Sequence, residues 1–270
     1  MKNLTLLQVV GLEKAKQMLC DDIILRAISN RPQKMVLLEG ASGGGKTTLV
    51  HAVVHHFQEK YPNRFSYIEL GITDLTEHVS STAKKIKHLF ARIRESHKPT
   101  ILFIDESDTI FASRMNAGHI KEERTSSLMM ELNDPIENLY IVCATNRPGR
   151  IDRAVLERFA ERVNCPYPSS TELKQIINLH LSILELKQRE ILYNAVLTTP
   201  QYNWSGRDFD TLEDKFLTRR DVIRIDKPDY QIDSVLVCEV FDSMVDSKCH
   251  LKFDYLDEEK PNKKRQKQYQ

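Results

Sequence analysis

No apolar stretch in this 270-residue chain approaches the roughly 20 residues that a membrane helix needs, so no bilayer span is expected. Close cysteine pairs are missing as well. Cys20, Cys143, Cys165, Cys238 and Cys249 stand far apart, a spacing that fits neither a zinc site nor a disulfide framework, and an odd count suits a reducing compartment. No sign of charge dominates. The 39 basic and 38 acidic residues leave a net +1, so the global field draws the chain to neither nucleic acid nor an anionic membrane. Met1–Val10 has one lysine and no small-residue cleavage site, which makes a poor signal peptide. A cytoplasmic protein is expected. No internal repeat is visible.

What is present is an ordinary globular balance, 41% hydrophobic and 29% charged, long enough for one large domain and a smaller companion. Over residues 1–165, short β-branched runs alternate with helical patterns, which predicts a parallel sheet of five strands flanked by helices. The expected strands are Met35–Leu38, Phe65–Leu70, Ile101–Asp105, Leu139–Ala144 and Arg162–Cys165, with helices across Thr48–Phe57 and Thr82–Glu95. Pro166 and Pro168 then punctuate the chain, and Leu173, Ile176, Ile177, Leu179 and Leu181 open a small helical domain over residues 166–225. Residues 226–270 read as a C-terminal extension, in which Ser234–Val245 fits a strand or a helix. Its end, Asp257–Gln270, is polar and basic (Lys260, Lys263, Lys264, Arg265, Lys267), the composition of a solvated, disordered tail; a tail docking on nucleic acid is the lesser alternative.

Gly40-Ala41-Ser42-Gly43-Gly44-Gly45-Lys46-Thr47, between an apolar strand and an amphipathic helix, has the glycine spacing and Lys-Thr ending of a phosphate-binding loop. Small residues let backbone N–H groups curl round a phosphate, while the next helix aims its positive end at that charge. Lys46 reaches the terminal phosphates, the Thr47 hydroxyl suits Mg²⁺, and Thr48 is counted with the loop. Ile101-Leu102-Phe103-Ile104-Asp105-Glu106 is an apolar strand ending in two carboxylates. Asp105 would hold Mg²⁺ through water and Glu106 would act as general base toward the attacking water. These pieces predict an ATP-binding, Mg²⁺-dependent phosphate-loop ATPase. His51, His55 and His56, with no neighbouring glutamate and no third ligand, read as ordinary helix histidines rather than a metal site.

Val10-Gly11-Leu12-Glu13-Lys14-Ala15-Lys16, the phosphate loop, Phe103-Ile104-Asp105-Glu106-Ser107-Asp108, Ala144-Thr145-Asn146-Arg147-Pro148 and Ile151–Phe159 come in the order and spacing of the AAA ATPases. The chain resembles that family across about residues 8–215, and the helical segment resembles its lid domain. The resemblance implies particular roles. Asn146 would be the sensor that orients the attacking water, and Arg158 the arginine finger delivered into a neighbouring subunit. Val9 and Val10 would approach the adenine, and His180 the sugar and base. Ser205-Gly206-Arg207-Asp208 is similar to the family's Ser-Gly-Ala-Asp signature, with Gly206 and Arg207 at the nucleotide and Arg207 in the usual alanine's place.

Two departures stand out. Glu161 occupies the place of a second finger, so either Arg162 substitutes or one finger operates. Glu77-His78-Val79-Ser80, within the Asp74–Ala83 loop, replaces the aromatic grip of protein-threading members. Since the chain begins at the ATPase threshold, no separate N-terminal adaptor domain is expected. The resemblance implies a homo-oligomer, ring-like, that remodels a protein client of unknown identity. A slow nucleotide-gated assembly switch and a nucleic-acid-associated ATPase are the alternatives.

Overall fold

The computed structural model of the protein describes residues 5–31, 34–71, 79–112, 119–134 and 136–258. The chain divides into two compact units, Met1–Pro168 and Ser169–Gln270. The first unit opens with α1 (Glu13–Met18), runs through a wider helical turn at Leu19–Ile24 and continues as α2 (Leu25–Ile28). There follow β1 (Met35–Gly40), α3 (Lys46–Lys60), β2 (Ser66–Leu70), α4 (Val79–Glu95) and β3 (Thr100–Ile104). α5 (Ser107–Ile110), α6 (His119–Asn133), β4 (Leu139–Thr145), α7 (Arg153–Leu156) and β5 (Glu161–Cys165) complete it.

All five strands are parallel, in the order β2-β3-β4-β1-β5. Every residue of β3 and β4 is buried. That is why their sequences are unbroken apolar runs: a parallel sheet covered by helices on both faces has no solvent side to call for alternation. One face packs Val36, Leu38, Phe103, Tyr140 and Val142 beneath Leu49, Val53 and Phe57 of α3. The other packs Leu37, Leu102, Ile104, Ile141 and Cys143 beneath Ile86, Phe90 and Leu128 of α4 and α6. α6 is fastened at two points. The Thr125 hydroxyl donates to Ile110 O at 2.8 Å, and the Arg94 guanidinium meets Glu131 at 2.5 Å.

The strand positions follow the expected ones with small shifts at their ends. Asp105 falls just past β3, because β3 pairs with β4 only as far as Ile104↔Cys143 and the Asp105 carboxylate turns to other partners. Phe65 lies before β2, buried in the core.

The second unit holds α8 (Ser170–His180), α9 (Leu186–Leu197), α10 (Gly206–Asp226) and α11 (Ser234–Glu258). Ser234–Val245 is therefore helical, and α11 packs against α9 and α10. Capping boxes start α8, from Ser169 and Glu172, and α10, from Ser205 and Asp208. Trp204 stacks between Phe209 and Phe241, with ring centroids 6.1 and 5.2 Å away. Lys248 of α11 sits over the Trp204 ring, 4.7 Å from its centroid, and pairs with Asp208 at 2.8 Å. The expected grip residues Glu77 and His78, and the basic tail from Lys260 to Lys267, lie outside the described residues, whereas Val79 and Ser80, expected in a loop that runs to Ala83, open α4 instead.

Candidate nucleotide site

The carboxyl ends of β1, β3 and β4 converge on one region. In open parallel sheets this is where ligands bind. β1 ends at Gly40, whose φ of +153° is open only to glycine; a Cβ there would stand 2.1 Å from Cys165 O. The loop thus lies directly against the end of β5. Gly45, at φ +77°, is the residue before α3, which leaves the first N–H groups of a 15-residue helix turned into the loop. Leu12 Cδ1 would lie 3.6 Å from a Gly45 Cβ, so the 9–12 segment borders the loop. Val9 in that segment is buried and Val10 half-buried.

Lys46 is 8% exposed, and its Nζ donates to Gly40 O at 2.8 Å and Ala41 O at 2.7 Å. The ammonium is therefore held at the loop, within a side-chain swing of anything the loop encloses. Ser42 and Thr48 face solvent, whereas Gly44 is buried. Thr47 Oγ1 donates to Asp105 Oδ2 at 2.6 Å, bridging α3 and the end of β3 across the intervening β4. Asp105 Oδ1 accepts the Glu106 N–H at 2.8 Å, fixing both carboxylate oxygens. A hydroxyl and a carboxylate oxygen at this spacing are hard donors that fit Mg²⁺. That ion takes one or two protein ligands and completes its shell with water and phosphate oxygens.

Glu106 adopts a left-handed backbone at φ 46°, ψ 42°, a conformation that costs a non-glycine residue of order 1–3 kcal/mol. The residue is exposed, and its carboxylate makes no hydrogen bond among the described residues. Below it, the Ser107 hydroxyl donates to Ala144 O at 2.9 Å, and Thr145 Oγ1 donates to the buried Asp108 carboxylate at 2.6 Å. Thr145 Oγ1 in turn accepts the Arg147 N–H at 2.9 Å. These bonds tie the ends of β3 and β4 together and leave Asn146 exposed between them, next in line after β4. Ser107, Asp108 and Thr145 were visible in the motifs but carried no role there. Polar side chains at the end of a wholly apolar strand were the available signal.

Arg158 is exposed on the turn after α7, its guanidinium donating to the Asn133 side chain at the end of α6. The buried Val155 and Phe159 on either side fix the turn in the core. Arg162 lies on β5 and pairs with Glu39 at 2.8 Å. Burial lifts the Cys165 thiol to about 11 against the pull of Lys46, with Glu39 adding to the rise. On α3, His51 meets Glu69 at 2.9 Å and His55 faces Glu59 at 3.6 Å.

Within the second unit, three of the residues picked from the sequence come together. His180 ends α8 with Nδ1 bonded to Asp210 at 2.7 Å, and its ring lies 4.0 Å from where a Gly206 Cβ would be. Arg207 follows, exposed, in the first turn of α10. No helix of the described residues is long and apolar enough to cross a membrane.

Residues 36–167 match the family described as "ATPase family associated with various cellular activities (AAA)". Spastin of Danio rerio is 32% identical over 221 residues, which cover 76% of this chain and 37% of that protein. Fidgetin-like protein 1 of Drosophila melanogaster is 30% identical, over 76% of this chain and 40% of its own length. A proteasome-activating nucleotidase of Methanocella arvoryzae is 30% identical, over 70% and 45%. The chain thus spans less than half the length of these relatives. Among solved structures, the FIGL-1 AAA domain in complex with ADP superposes with a TM-score of 0.69 at 24% identity, over 87% of this chain and 82% of that one.

Proposed function

This chain belongs to the AAA family of ATPases through residues 36–167, and from that premise we propose that it binds and hydrolyses ATP with Mg²⁺ and uses the cycle, as an oligomer, to remodel a protein client. The observation that carries the reading is the 2.6 Å bond from Thr47 to Asp105, with the exposed Glu106 next in sequence. It joins a phosphate loop and an acidic strand end into one site, which neither motif makes alone.

Thr47 and Asp105 would hold magnesium, which when bound would neutralise charge on the phosphates. The chain's own residues do the rest. Loop N–H groups and Lys46 hold the phosphates, and Glu106 takes the proton from the attacking water. Asn146 positions that water, and Val9 and Val10 border the base. The family resemblance would also assign His180, Gly206 and Arg207, which lie near one another where α8 ends and α10 begins, to nucleotide binding. Arg158, from a neighbouring copy, screens the charge that develops in transfer. The names of the relatives, proteasome-activating nucleotidase among them, support a protein client over a nucleic acid.

The test separates binding from chemistry. In nucleotide titrations, Lys46→Ala should lose most ATP affinity, because no neighbouring cation replaces it at the phosphates. Glu106→Gln should keep that affinity and release phosphate at least about 100-fold more slowly, the scale of a lost general base. Equal affinity in the two variants would sink the division of roles.

A further inference from the structure

Among the described residues β5 ends one side of the sheet, with β1 as its one neighbour. Their register sets Leu37 opposite Arg162, Glu39 opposite Asn164 and Gly40 opposite Cys165. The last of these pairs is the floor of the phosphate loop. Cys165 O fills the place of a Gly40 Cβ, and it stands 3.4 Å from that of Gly44. Any drift of β5 against β1 therefore moves the surface on which the loop rests. One ladder of backbone bonds resists that drift, and two side-chain ties add to it. Glu161 is held by Lys34 at 2.6 Å, and Lys34 also pairs with Asp22 at 2.9 Å. Arg162 is held by Glu39 at 2.8 Å, its diagonal neighbour on the same sheet face.

Glu39 is the residue immediately before Gly40, so its negative charge stands at the entry to a loop built for anions. In the β1–β5 register Glu39 stands beside the Gly40↔Cys165 pair that forms the loop floor. Arg162 cancels the Glu39 charge. The guanidinium, on a side chain 43% exposed, bonds a carboxylate of its own sheet, whereas that of Arg158 on the preceding turn is bonded to a neutral amide.

We propose that Arg162 is a positioning residue for the phosphate loop of its own subunit, clamping β5 to β1 through Glu39 and offsetting that carboxylate beside the phosphates, and that it is not a second arginine finger. The proposal rests on the ATP-binding reading given above.

Two measurements on the full chain decide it. The first is titration with a fluorescent ADP analogue. Arg162→Ala should weaken binding by about two- to five-fold, the effect of a partly exposed ion pair. Arg162→Lys should recover most of the affinity, and adding Glu39→Arg to Arg162→Glu should bind better than Arg162→Glu alone. A role in stability only would lower melting temperature without this pattern of rescue. Should Arg162→Ala fail to fold, Arg162→Gln keeps the length without the charge and carries the same expectation. The second measurement mixes subunits. Lys46→Ala subunits, with a disabled site and an intact finger, should restore hydrolysis to Arg158→Ala subunits. Lys46→Ala/Arg162→Ala subunits should restore it equally well. A poorer double-variant donor would make Arg162 a finger and overturn the proposal, as would unchanged ADP affinity in Arg162→Ala. Absence of nucleotide binding by the unaltered protein would instead bring down the ATP-binding reading and this inference with it. Absence of rescue by Lys46→Ala subunits would count against the trans finger and leave the affinity result to decide.

Discussion

At the scale of single residues, the site is built from side chains that hold one another. Asp105 uses both oxygens, one for Thr47 and one for the Glu106 N–H, which leaves Glu106 as the carboxylate free to turn toward water. Phosphate-loop chemistry was legible here because glycine spacing, lysine and threonine each answer a separate physical demand. The partners beneath were not. Nothing in the one-dimensional pattern says that Thr145 reaches Asp108, or that Cys165 O occupies the space a Gly40 side chain would need. Cys165 also yields a prediction. Its thiol is raised to about 11 by burial, so at pH 7.5 it is almost wholly protonated, and the thiolate is the reactive form. Cys238 is exposed on α11. Brief iodoacetamide treatment followed by peptide mass spectrometry should label Cys238 well ahead of Cys165, and labelling of Cys165 should climb as pH rises toward 11. Equal labelling at pH 7.5 would mean that the floor of the loop is open.

Secondary-structure elements show why some segments declare themselves and others do not. β3 and β4 are apolar from end to end because both of their faces are covered. α11 hides its type. Ser234–Val245 is rich in valine and its opening residues suit a half-buried strand. Only the burial pattern resolves it: Leu236, Val237, Val240, Phe241 and Met244 are inside while Val235 is 66% exposed, the spacing of a helix stripe. Packing on α9 and α10 overrode β-branched propensity. One side chain on this helix bears disproportionately on the unit. Lys248 joins Asp208, whose other oxygen accepts both the N–H and the hydroxyl of Ser205, and covers the Trp204 ring. Lys248→Met should destabilise the second unit by about 1–2 kcal/mol, from the summed ion-pair and cation–π terms. Urea denaturation followed by Trp204 fluorescence reads this directly, since Trp204 is the chain's one tryptophan. An unchanged midpoint would show that the helix is held by its apolar stripe alone.

For the molecule as a whole, the decisive feature is that Arg158 faces outward and has a partner, Asn133, that is neutral and exposed. Among the described residues no carboxylate pairs with this guanidinium, so its charge is not offset by an ion pair there. If that charge serves a second copy, hydrolysis per subunit should rise with protein concentration. Arg158→Ala should bind ATP normally yet turn it over on the order of 1,000-fold more slowly, the contribution of fingers supplied in trans. Phosphate release measured across a dilution series, with ATP affinity measured alongside, checks both. A rate per subunit indifferent to dilution would make the finger irrelevant. The family resemblance supplies this proposed role; position in the fold adds that the turn bearing Arg158 is fixed by Val155 and Phe159 in the core, a rigid mount for the finger we propose.

β5 carries a further consequence. A strand with one neighbour in its sheet presents a second row of N–H and C=O groups, and such a row invites the strands of other molecules to add on. Here the invitation is declined by chemistry: Glu161, Arg162 and Asn164 interrupt the strand with polar side chains, and Pro166 and Pro168 follow within three residues of its end. The edge that bears the floor of the phosphate loop is thereby also the edge kept from growing into a fibre, and the loss of its charges would be felt first as turbidity.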